Sequence, residues 1–180
     1  KYGAVVALHP SNGRIFSLLS YTNPDETVLD EKLYCSNMFP AASIVKIITA
    51  AAAIEKGGLH AKSPLKTCGR NHTLYNFQLE PTLKTFREVP FEDAFAYSIN
   101  PIFARIGIYS LGGQVLNDFM QTFGFNEPIP FEIPTGIACF NPPDSSFAVA
   151  ELASGFNRGT RISPLFGALI AAAVADNGAM

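Results

Sequence analysis

Residues 39–47 read Phe-Pro-Ala-Ala-Ser-Ile-Val-Lys-Ile, and this stretch says more about fold and chemistry than any other part of the chain. From Ile44 to Lys56 the sequence is rich in alanine and isoleucine, and Gly57 and Gly58 follow. We therefore predict a helix that ends at these glycines. Ser43 stands where an N-cap residue belongs, so its hydroxyl is expected at the electropositive end of that helix.

Ser43 and Lys46 are spaced so that their side chains share one face of a helix. A serine hydroxyl becomes a good nucleophile when a nearby base removes its proton, and a lysine with a lowered pKa is such a base. We expect burial to lower the pKa of Lys46 because four apolar residues flank it: Ile44, Val45, Ile47 and Ile48. A helix cap beside a lysine that reaches solvent would explain the same pair without any chemistry.

A second motif, Ser98-Ile99-Asn100, lies between two predicted helices, the first opened by Pro90 and the second running from Pro101 to Tyr109. The Ser98 hydroxyl can pass a proton between a base and a leaving amine, and the Asn100 amide can hold a substrate carbonyl. The alternative is purely structural: Ser98 would end one helix and Asn100 would cap the next.

The rest of the chain predicts a mixture of strands and helices. Two β-prone runs, Gly3–Leu8 and Arg14–Ser20, flank an Asn12-Gly13 pair and predict a hairpin, since both turn residues tolerate positive φ. The remaining segments are expected as follows: a loop at 22–31, an irregular excursion with one short hairpin at 60–88, a helix at 114–123, a loop at 128–143, and a helix at 165–176 capped by Ser163 and Pro164.

Composition excludes several classes of protein. The chain has 180 residues, 48% of them hydrophobic and 16% charged, which is typical of a single folded domain. The net charge of −2 offers no basic field for nucleic acid. The longest apolar run, Leu165–Ala175, is shorter than the roughly 20 residues that a membrane-spanning helix needs.

The cysteines and histidines give no clear site. The spacing of Cys35, Cys68 and Cys139 fits neither a zinc ribbon nor a redox pair, and it leaves open whether a disulfide forms. Cys68 and His72 lack a second metal-binding pair, so we expect no metal site there. His9, His60 and His72 have no catalytic partner placed by spacing and are interpreted as surface or loop residues.

Taken in chain order, these segments resemble the penicillin-binding protein transpeptidases and the related serine DD-carboxypeptidases and serine β-lactamases. The hairpin is similar to the opening hairpin of that family. Residues 39–47 resemble its P-G-S-x-x-K-I motif, with Ala41 replacing the customary glycine, and residues 94–100 resemble the surroundings of its S-x-N motif. Phe123-Gly124-Phe125 and residues 160–165 are similar to later landmarks.

The resemblance implies an α+β, β-lactamase/transpeptidase-like fold with a helical subdomain beside an antiparallel sheet. It implies an enzyme that acts on the D-Ala-D-Ala end of peptidoglycan stem peptides, with Ser43 as nucleophile, Lys46 as base, Ser98 as proton donor and Asn100 orienting the peptide. β-Lactams would acylate Ser43. No metal or organic cofactor is implied. The substrate implies an extracytoplasmic location. For the full-length protein, the resemblance further implies a membrane anchor upstream of this chain and partners in a cell-wall synthesis complex.

One family motif is missing. The chain contains no Lys-Thr-Gly or Lys-Ser-Gly, and Lys66-Thr67-Cys68 lies in the wrong place, between the first two motifs. The absent strand would supply a positive neighbour for Lys46 and a second oxyanion donor. Without it we expect the hairpin and the last helix to expose an apolar face. We interpret residues 1–180 as a partial transpeptidase domain, made of the hairpin and the helical subdomain.

Two other functions fit the same motifs. A class D-like β-lactamase or β-lactam sensor uses the first motif but usually has a hydrophobic residue at the position of Asn100. A catalytically inactive binding or scaffold module of a cell-wall complex would explain the missing third motif.

Overall fold

The computed structural model describes residues 1–23 and 32–179. It is an α+β fold that combines helices with antiparallel strand pairs and divides into two compact units. The first unit comprises Lys1–Pro40, Phe123–Phe140 and Arg161–Met180, and the second comprises Ala41–Thr122 and Asn141–Thr160. The four candidate site residues all belong to the second unit.

The predicted N-terminal hairpin is confirmed: β1 (Tyr2–Leu8) pairs antiparallel with β2 (Ile15–Thr22). Val5 lies opposite Leu19, and Tyr21 shares their face because side chains alternate along a strand. These three side chains are 57%, 59% and 63% exposed. The expected exposure of an apolar hairpin face is therefore confirmed for the part of the chain that the structure describes.

The turn between β1 and β2 differs in detail from the prediction. Gly13 has a positive φ of 68°, whereas Asn12 does not. The side-chain oxygen of Asn12 instead accepts a hydrogen bond from the backbone N–H of Arg14 at 3.0 Å, a common role for asparagine in turns. The loop predicted at 22–31 lies, beyond residue 23, outside the described residues.

The last helix, α6 (Pro164–Ala175), begins as predicted, since the Ser163 hydroxyl accepts a hydrogen bond from the backbone N–H of Phe166 at 3.1 Å. Phe166 is buried and stacks edge-to-face on Phe125, with ring centroids 4.9 Å apart. α6 also packs on β1, while Val174 near its C-terminal end is 61% exposed. The expected exposure of apolar side chains on this helix is therefore confirmed at Val174.

Two short strands, β3 (Phe39–Pro40) and β6 (Arg161–Ile162), pair antiparallel in the same unit. The stretch predicted as a loop at 128–143 forms an isolated bridge between Cys139 and Arg161 but no helix or strand, so that prediction is confirmed.

The second unit is mainly helical. β4 (Pro64–Thr67) pairs antiparallel with β5 (Arg87–Pro90). Residues 68–86 separate these strands and β5 extends beyond residue 88, so the short hairpin predicted within 60–88 is confirmed only as an antiparallel strand pair. Pro90 ends β5 and caps the next helix rather than opening it. The helices of this unit are α1 (Val45–Glu55), α2 (Phe91–Ala96), α3 (Asn100–Ile106), α4 (Gly112–Thr122) and α5 (Ser146–Ser154).

α3 does not continue as a regular helix to Tyr109, as the sequence predicts. Residues Gly107–Leu111 form a π-helical turn, after which Gly112, with a φ of 78°, starts α4. A Cβ atom at Gly107 would lie 2.5 Å from the Cβ of Ala153 on α5. The glycine therefore permits a close helix–helix approach that a helix-propensity argument does not reveal.

α5 is a helix that the sequence reasoning did not predict. Its start carries a recognisable signal, because the Ser145 hydroxyl accepts a hydrogen bond from the N–H of Ala148 at 3.2 Å. Its end is marked by Gly155 in the left-handed conformation. Thr49 of α1 donates its hydroxyl hydrogen to the Ala153 carbonyl at 2.9 Å, which ties α5 to the helix that follows Ser43.

Candidate active site

Ser43 and Lys46 are brought together by a 3-10 turn, Ala42–Ile44, that leads into α1. Lys46 Nζ donates a hydrogen bond to Ser43 Oγ at 2.8 Å. Ser43 is exposed, whereas Lys46 is only 2% exposed. An accessible hydroxyl therefore meets a buried amine.

Ser98 reaches the same hydroxyl from the connection between α2 and α3. Its Oγ donates to Ser43 Oγ at 2.9 Å. Its backbone has a φ of 52°, a left-handed conformation that is unfavourable for a residue with a side chain. The backbone N–H of Ser98 donates to the Phe95 carbonyl at 3.0 Å, which fixes this turn. The strained conformation is thus retained at the point where the hydroxyl meets Ser43.

Asn100 completes the group. Its side-chain oxygen accepts a hydrogen bond from Lys46 Nζ at 2.7 Å, and the residue is 6% exposed. Its backbone N–H donates to the Asn71 carbonyl at 2.7 Å, which fixes the start of α3. All four residues named from the sequence therefore lie in one continuous hydrogen-bonded series, Ser98–Ser43–Lys46–Asn100.

Burial lowers the pKa of Lys46 from its ordinary value of 10.5 to about 8, because loss of water disfavours the charged ammonium. The ring of the buried Phe103 lies with its centroid 5.8 Å from Nζ. Among residues 1–23 and 32–179, no carboxylate forms an ion pair with Lys46. The prediction that burial lowers this pKa is confirmed.

Two helix-capping roles expected from the sequence are wrong. The N-cap of α1 is Ile44, not Ser43, and it makes no side-chain capping bond. The N-cap of α3 is Ile99, and Asn100 is already inside that helix. The Ser43 hydroxyl instead accepts hydrogen bonds from Lys46 and from the distant Ser98, and the Asn100 side-chain oxygen accepts one from the distant Lys46.

The alanine that takes an unusual conformation is Ala42, not Ala41. Ala41 has φ −64° and ψ −28°, an ordinary right-handed conformation. Ala42, directly before Ser43, has a φ of 46°. The position at which a glycine would fit without strain is therefore Ala42, directly before Ser43.

The remaining candidates lie apart from this group. His9, His60 and His72 are exposed, as interpreted from the sequence. Cys68 and Cys139 carry free thiols, so the three cysteines form no disulfide with one another. Within the described residues, no group of three or more histidine, cysteine, aspartate or glutamate side chains could hold a metal ion.

The geometry suits nucleophilic substitution at a carbonyl. A hydroxyl lies within hydrogen-bond distance of an amine with a lowered pKa, and a second hydroxyl lies on its other side. The amine is itself oriented by an amide oxygen, so the amine and the Ser43 hydroxyl have one defined arrangement.

A family model described as the penicillin binding protein transpeptidase domain matches residues 3–180. The chain belongs to this transpeptidase family. The α+β, transpeptidase-like fold expected from the sequence is confirmed by solved structures. The crystal structure of PBPA from Mycobacterium tuberculosis has a TM-score of 0.80 at 27% identity, over 98% of this chain and 46% of that one. The penicillin G acyl-enzyme complex of penicillin-binding protein A from M. tuberculosis has a TM-score of 0.77 at 26% identity, over 98% of this chain and 46% of that one.

Related transpeptidases are found among curated proteins as well. Peptidoglycan D,D-transpeptidase PbpA of Mycolicibacterium smegmatis is 30% identical over 205 residues, which is 98% of this chain and 41% of that protein. Penicillin-binding protein 3 of Bacillus subtilis is 26% identical over 201 residues, which is 98% of this chain and 30% of that protein. The chain thus spans less than half the length of these relatives. The comparisons do not favour a β-lactamase or a scaffold module.

Proposed function

We propose that this protein is a peptidoglycan D,D-transpeptidase that works through an acyl-serine intermediate at Ser43. The observation that carries the proposal is the 2.8 Å hydrogen bond between Ser43 and Lys46, an amine whose pKa burial lowers to about 8. Membership of the transpeptidase family, and the names of relatives such as PbpA, support this class of reaction.

In the first step, the neutral amine of Lys46 accepts the proton of Ser43, and Ser43 Oγ attacks the carbonyl carbon of the penultimate D-Ala. A C–O bond forms, and negative charge collects on the carbonyl oxygen. The backbone N–H of Ser43, at the start of the turn into α1, can donate a hydrogen bond to that oxygen. The helix that follows adds its positive end to the same region.

In the second step, the C–N bond to the terminal D-Ala breaks. Ser98 gives its hydroxyl proton to the leaving nitrogen and is reprotonated by the Lys46 ammonium. The position of Ser98 Oγ, 2.9 Å from Ser43 Oγ, supports this relay. The Asn100 amide has two functions in this proposal: its oxygen orients Lys46, and its N–H groups hold a carbonyl of the peptide.

The acyl-enzyme is released when a second nucleophile attacks the Ser43 ester. An amine from a neighbouring stem peptide gives a cross-link, and water gives the carboxypeptidase product. A β-lactam acylates Ser43 in the same way, but its ring nitrogen stays attached to the acyl group. Because no leaving group departs, the ester persists.

We also propose that residues 1–180 are part of a larger transpeptidase domain in the full-length protein. The chain spans 41% of the M. smegmatis relative, and a Lys-Thr-Gly motif does not occur in it. The third motif, elsewhere in the full-length protein, would supply a cation for the substrate carboxylate and a second oxyanion donor. The peptidoglycan substrate places this domain outside the cytoplasmic membrane, and the upstream membrane anchor stays a prediction. None of the helices in the described part of the chain has the length and apolar character of a membrane span.

A peptide ending in D-Ala-D-Ala tests the proposal when it is supplied to the full-length protein with an acceptor amine. We expect release of free D-Ala and formation of the amine adduct, both of which mass spectrometry detects. Ser43→Ala should abolish both products, whereas Ser110→Ala, at an exposed serine, should abolish neither. Turnover that survives Ser43→Ala would overturn the proposal.

A further inference from the structure

The backbone directly before Ser43 has a conformation that needs support from elsewhere in the chain. Ala42, with its φ of 46°, is in the left-handed region, which residues with a Cβ atom rarely adopt. Such a residue persists only where its surroundings determine its conformation. The orientation of the peptide group between Ala42 and Ser43 sets the direction of the Ser43 N–H and contributes to the position of its hydroxyl.

The support comes from the loop that follows α5, Gly155–Thr160. The carbonyl of Thr160 accepts a hydrogen bond from the Ala41 N–H at 2.9 Å. At the other end of the loop, a Cβ atom on Gly155 would lie 1.9 Å from the Ala42 carbonyl oxygen and 3.3 Å from Ser43 N. Both ends of the loop therefore lie close to the residues before Ser43, and they approach them through backbone atoms.

Asn157 closes this loop. Its side-chain oxygen accepts a hydrogen bond from the Thr160 N–H at 2.7 Å, and its side-chain nitrogen donates to the Glu151 carbonyl at 3.4 Å. The first bond fixes the residue whose carbonyl holds Ala41, and the second connects the loop to the last turns of α5. Because Thr49 of α1 donates a hydrogen bond to α5, these contacts also link the loop to the helix that carries Lys46.

From these contacts we infer that the Gly155–Thr160 loop positions the nucleophile, with Asn157 as the positioning residue that keeps the loop in shape. The loop holds Ala42 in its left-handed conformation, so that the Ser43 hydroxyl lies between Lys46 and Ser98 and its N–H faces the developing oxyanion. Gly155 leaves space for the Ala42 carbonyl. This inference rests on the proposed function, because it assigns a positioning role for the same reaction.

The test compares Asn157→Ala, Asn157→Asp and wild type in the full-length protein, using a fluorescent penicillin. Asn157→Ala removes both bonds of the loop, so the limiting acylation rate should fall about tenfold or more, because small displacements of a nucleophile are costly. The dissociation constant of the complex that precedes acylation should stay within about twofold, since Asn157 is not assigned to ligand binding. Asn157→Asp keeps the acceptor for the Thr160 N–H and should retain most of the rate.

Asn126→Ala is the matched control. The side chain of Asn126 also closes a loop through two hydrogen bonds. Its oxygen accepts from the Phe140 N–H at 3.2 Å, and its nitrogen donates to the Phe140 carbonyl at 3.3 Å. Its loss should lower the melting temperature as Asn157→Ala does, but leave the limiting acylation rate unchanged. An equal loss of rate in both variants would reduce the role of Asn157 to general stability and overturn the inference.

A second readout does not depend on activity. The backbone amide signal of Ser43 in the NMR spectrum should shift in Asn157→Ala and stay in place in Asn126→Ala. An unmoved Ser43 signal together with a wild-type rate in Asn157→Ala would refute the positioning role while leaving the proposed function intact. If the wild type reacts with no β-lactam, the proposed function fails, and the Ser43 signal alone decides this inference.

Discussion

The surroundings of Lys46 and the exposed face of the N-terminal hairpin differ in which kinds of side chain they shield from solvent. Lys46 carries an ionisable amine but is 2% exposed, and its amine has hydrogen-bond partners in Ser43 and Asn100. Leu19 and Tyr21 on the hairpin are 59% and 63% exposed. One region buries a polar group, and the other exposes large apolar ones.

The difference distinguishes a region whose arrangement suits a chemical reaction from a region whose surface suits contact with other protein. Burying an amine is unfavourable unless hydrogen bonds replace its water, and the arrangement around Lys46 supplies them from within one compact unit. An exposed apolar face contributes nothing to that arrangement and is typical of surfaces that contact other protein.

Lys46→Met tests the buried amine most strongly. Methionine fills a similar volume but cannot accept a proton, so the acylation rate by fluorescent penicillin should fall about 10²–10⁴-fold. Lys56→Met changes an exposed lysine just beyond the end of the same helix and should leave the rate unchanged. A loss of less than tenfold at Lys46 would show that another group acts as the base.

The acylation rate should depend on pH in one direction. In the proposed mechanism the neutral amine is the active form. Because the pKa of Lys46 is lowered to about 8, the rate should rise about tenfold per pH unit below 8 and level off above it. Stopped-flow acylation between pH 5.5 and 10 measures this profile. A rate that is flat, or that falls through pH 8, contradicts the assignment of Lys46 as the base.

Asn100→Asp sharpens the same measurement. A carboxylate at this position would lie beside Lys46 Nζ, which is 2.7 Å from the present amide oxygen, and would stabilise the ammonium. The midpoint of the pH profile should therefore move upward by about one unit or more. Asn76→Asp, at an exposed residue, should not move it. An unchanged midpoint in Asn100→Asp would separate Asn100 from the titration of Lys46.

Ala42→Gly should stabilise the protein, because glycine adopts a positive φ without steric cost. We expect the free energy of unfolding to rise by about 0.5–1 kcal/mol, which denaturant titration resolves. Ala41→Gly, at a right-handed and buried residue, should lower it by about 1 kcal/mol. A reversed pair of results would contradict the conformations assigned to the two alanines.

Leu19→Ser on the hairpin should have the smallest effect. In a protein spanning residues 1–180, the exposure of Leu19 predicts a change of no more than about 0.5 kcal/mol in the free energy of unfolding. Leu165→Ala, at a buried residue of α6, should lower the free energy of unfolding by about 2–5 kcal/mol. A larger cost for Leu19→Ser in the full-length protein would show that other parts of it cover this face.

Local spacing predicts one pair of the site, because Ser43 and Lys46 are one helical turn apart. The Ser98-Ile99-Asn100 segment is recognisable as a connection between two helices, but only its resemblance to a family motif places it beside Ser43 and Lys46. The capping role of Ser43 was mispredicted because its hydroxyl binds Ser98, 55 residues away, and no local pattern reports that contact.

The parts that the sequence did not predict depend on contacts between distant segments. α5 is short and follows a proline-rich loop, so its apolar residues gave no convincing periodicity. Its position is fixed by the bond between Thr49 and Ala153 and by the close approach of Gly107. The left-handed conformation of Ala42 likewise depends on the loop after α5, which no neighbouring residue reveals.

The most direct test is to locate the bond that penicillin forms. After reaction of the full-length protein with penicillin G, proteolysis and mass spectrometry should find a single adduct, on the peptide that contains Ser43, and Ser43→Ala should remove it. An adduct on another residue, or a correctly folded wild-type protein that forms none, would contradict the assignment of Ser43 as the nucleophile.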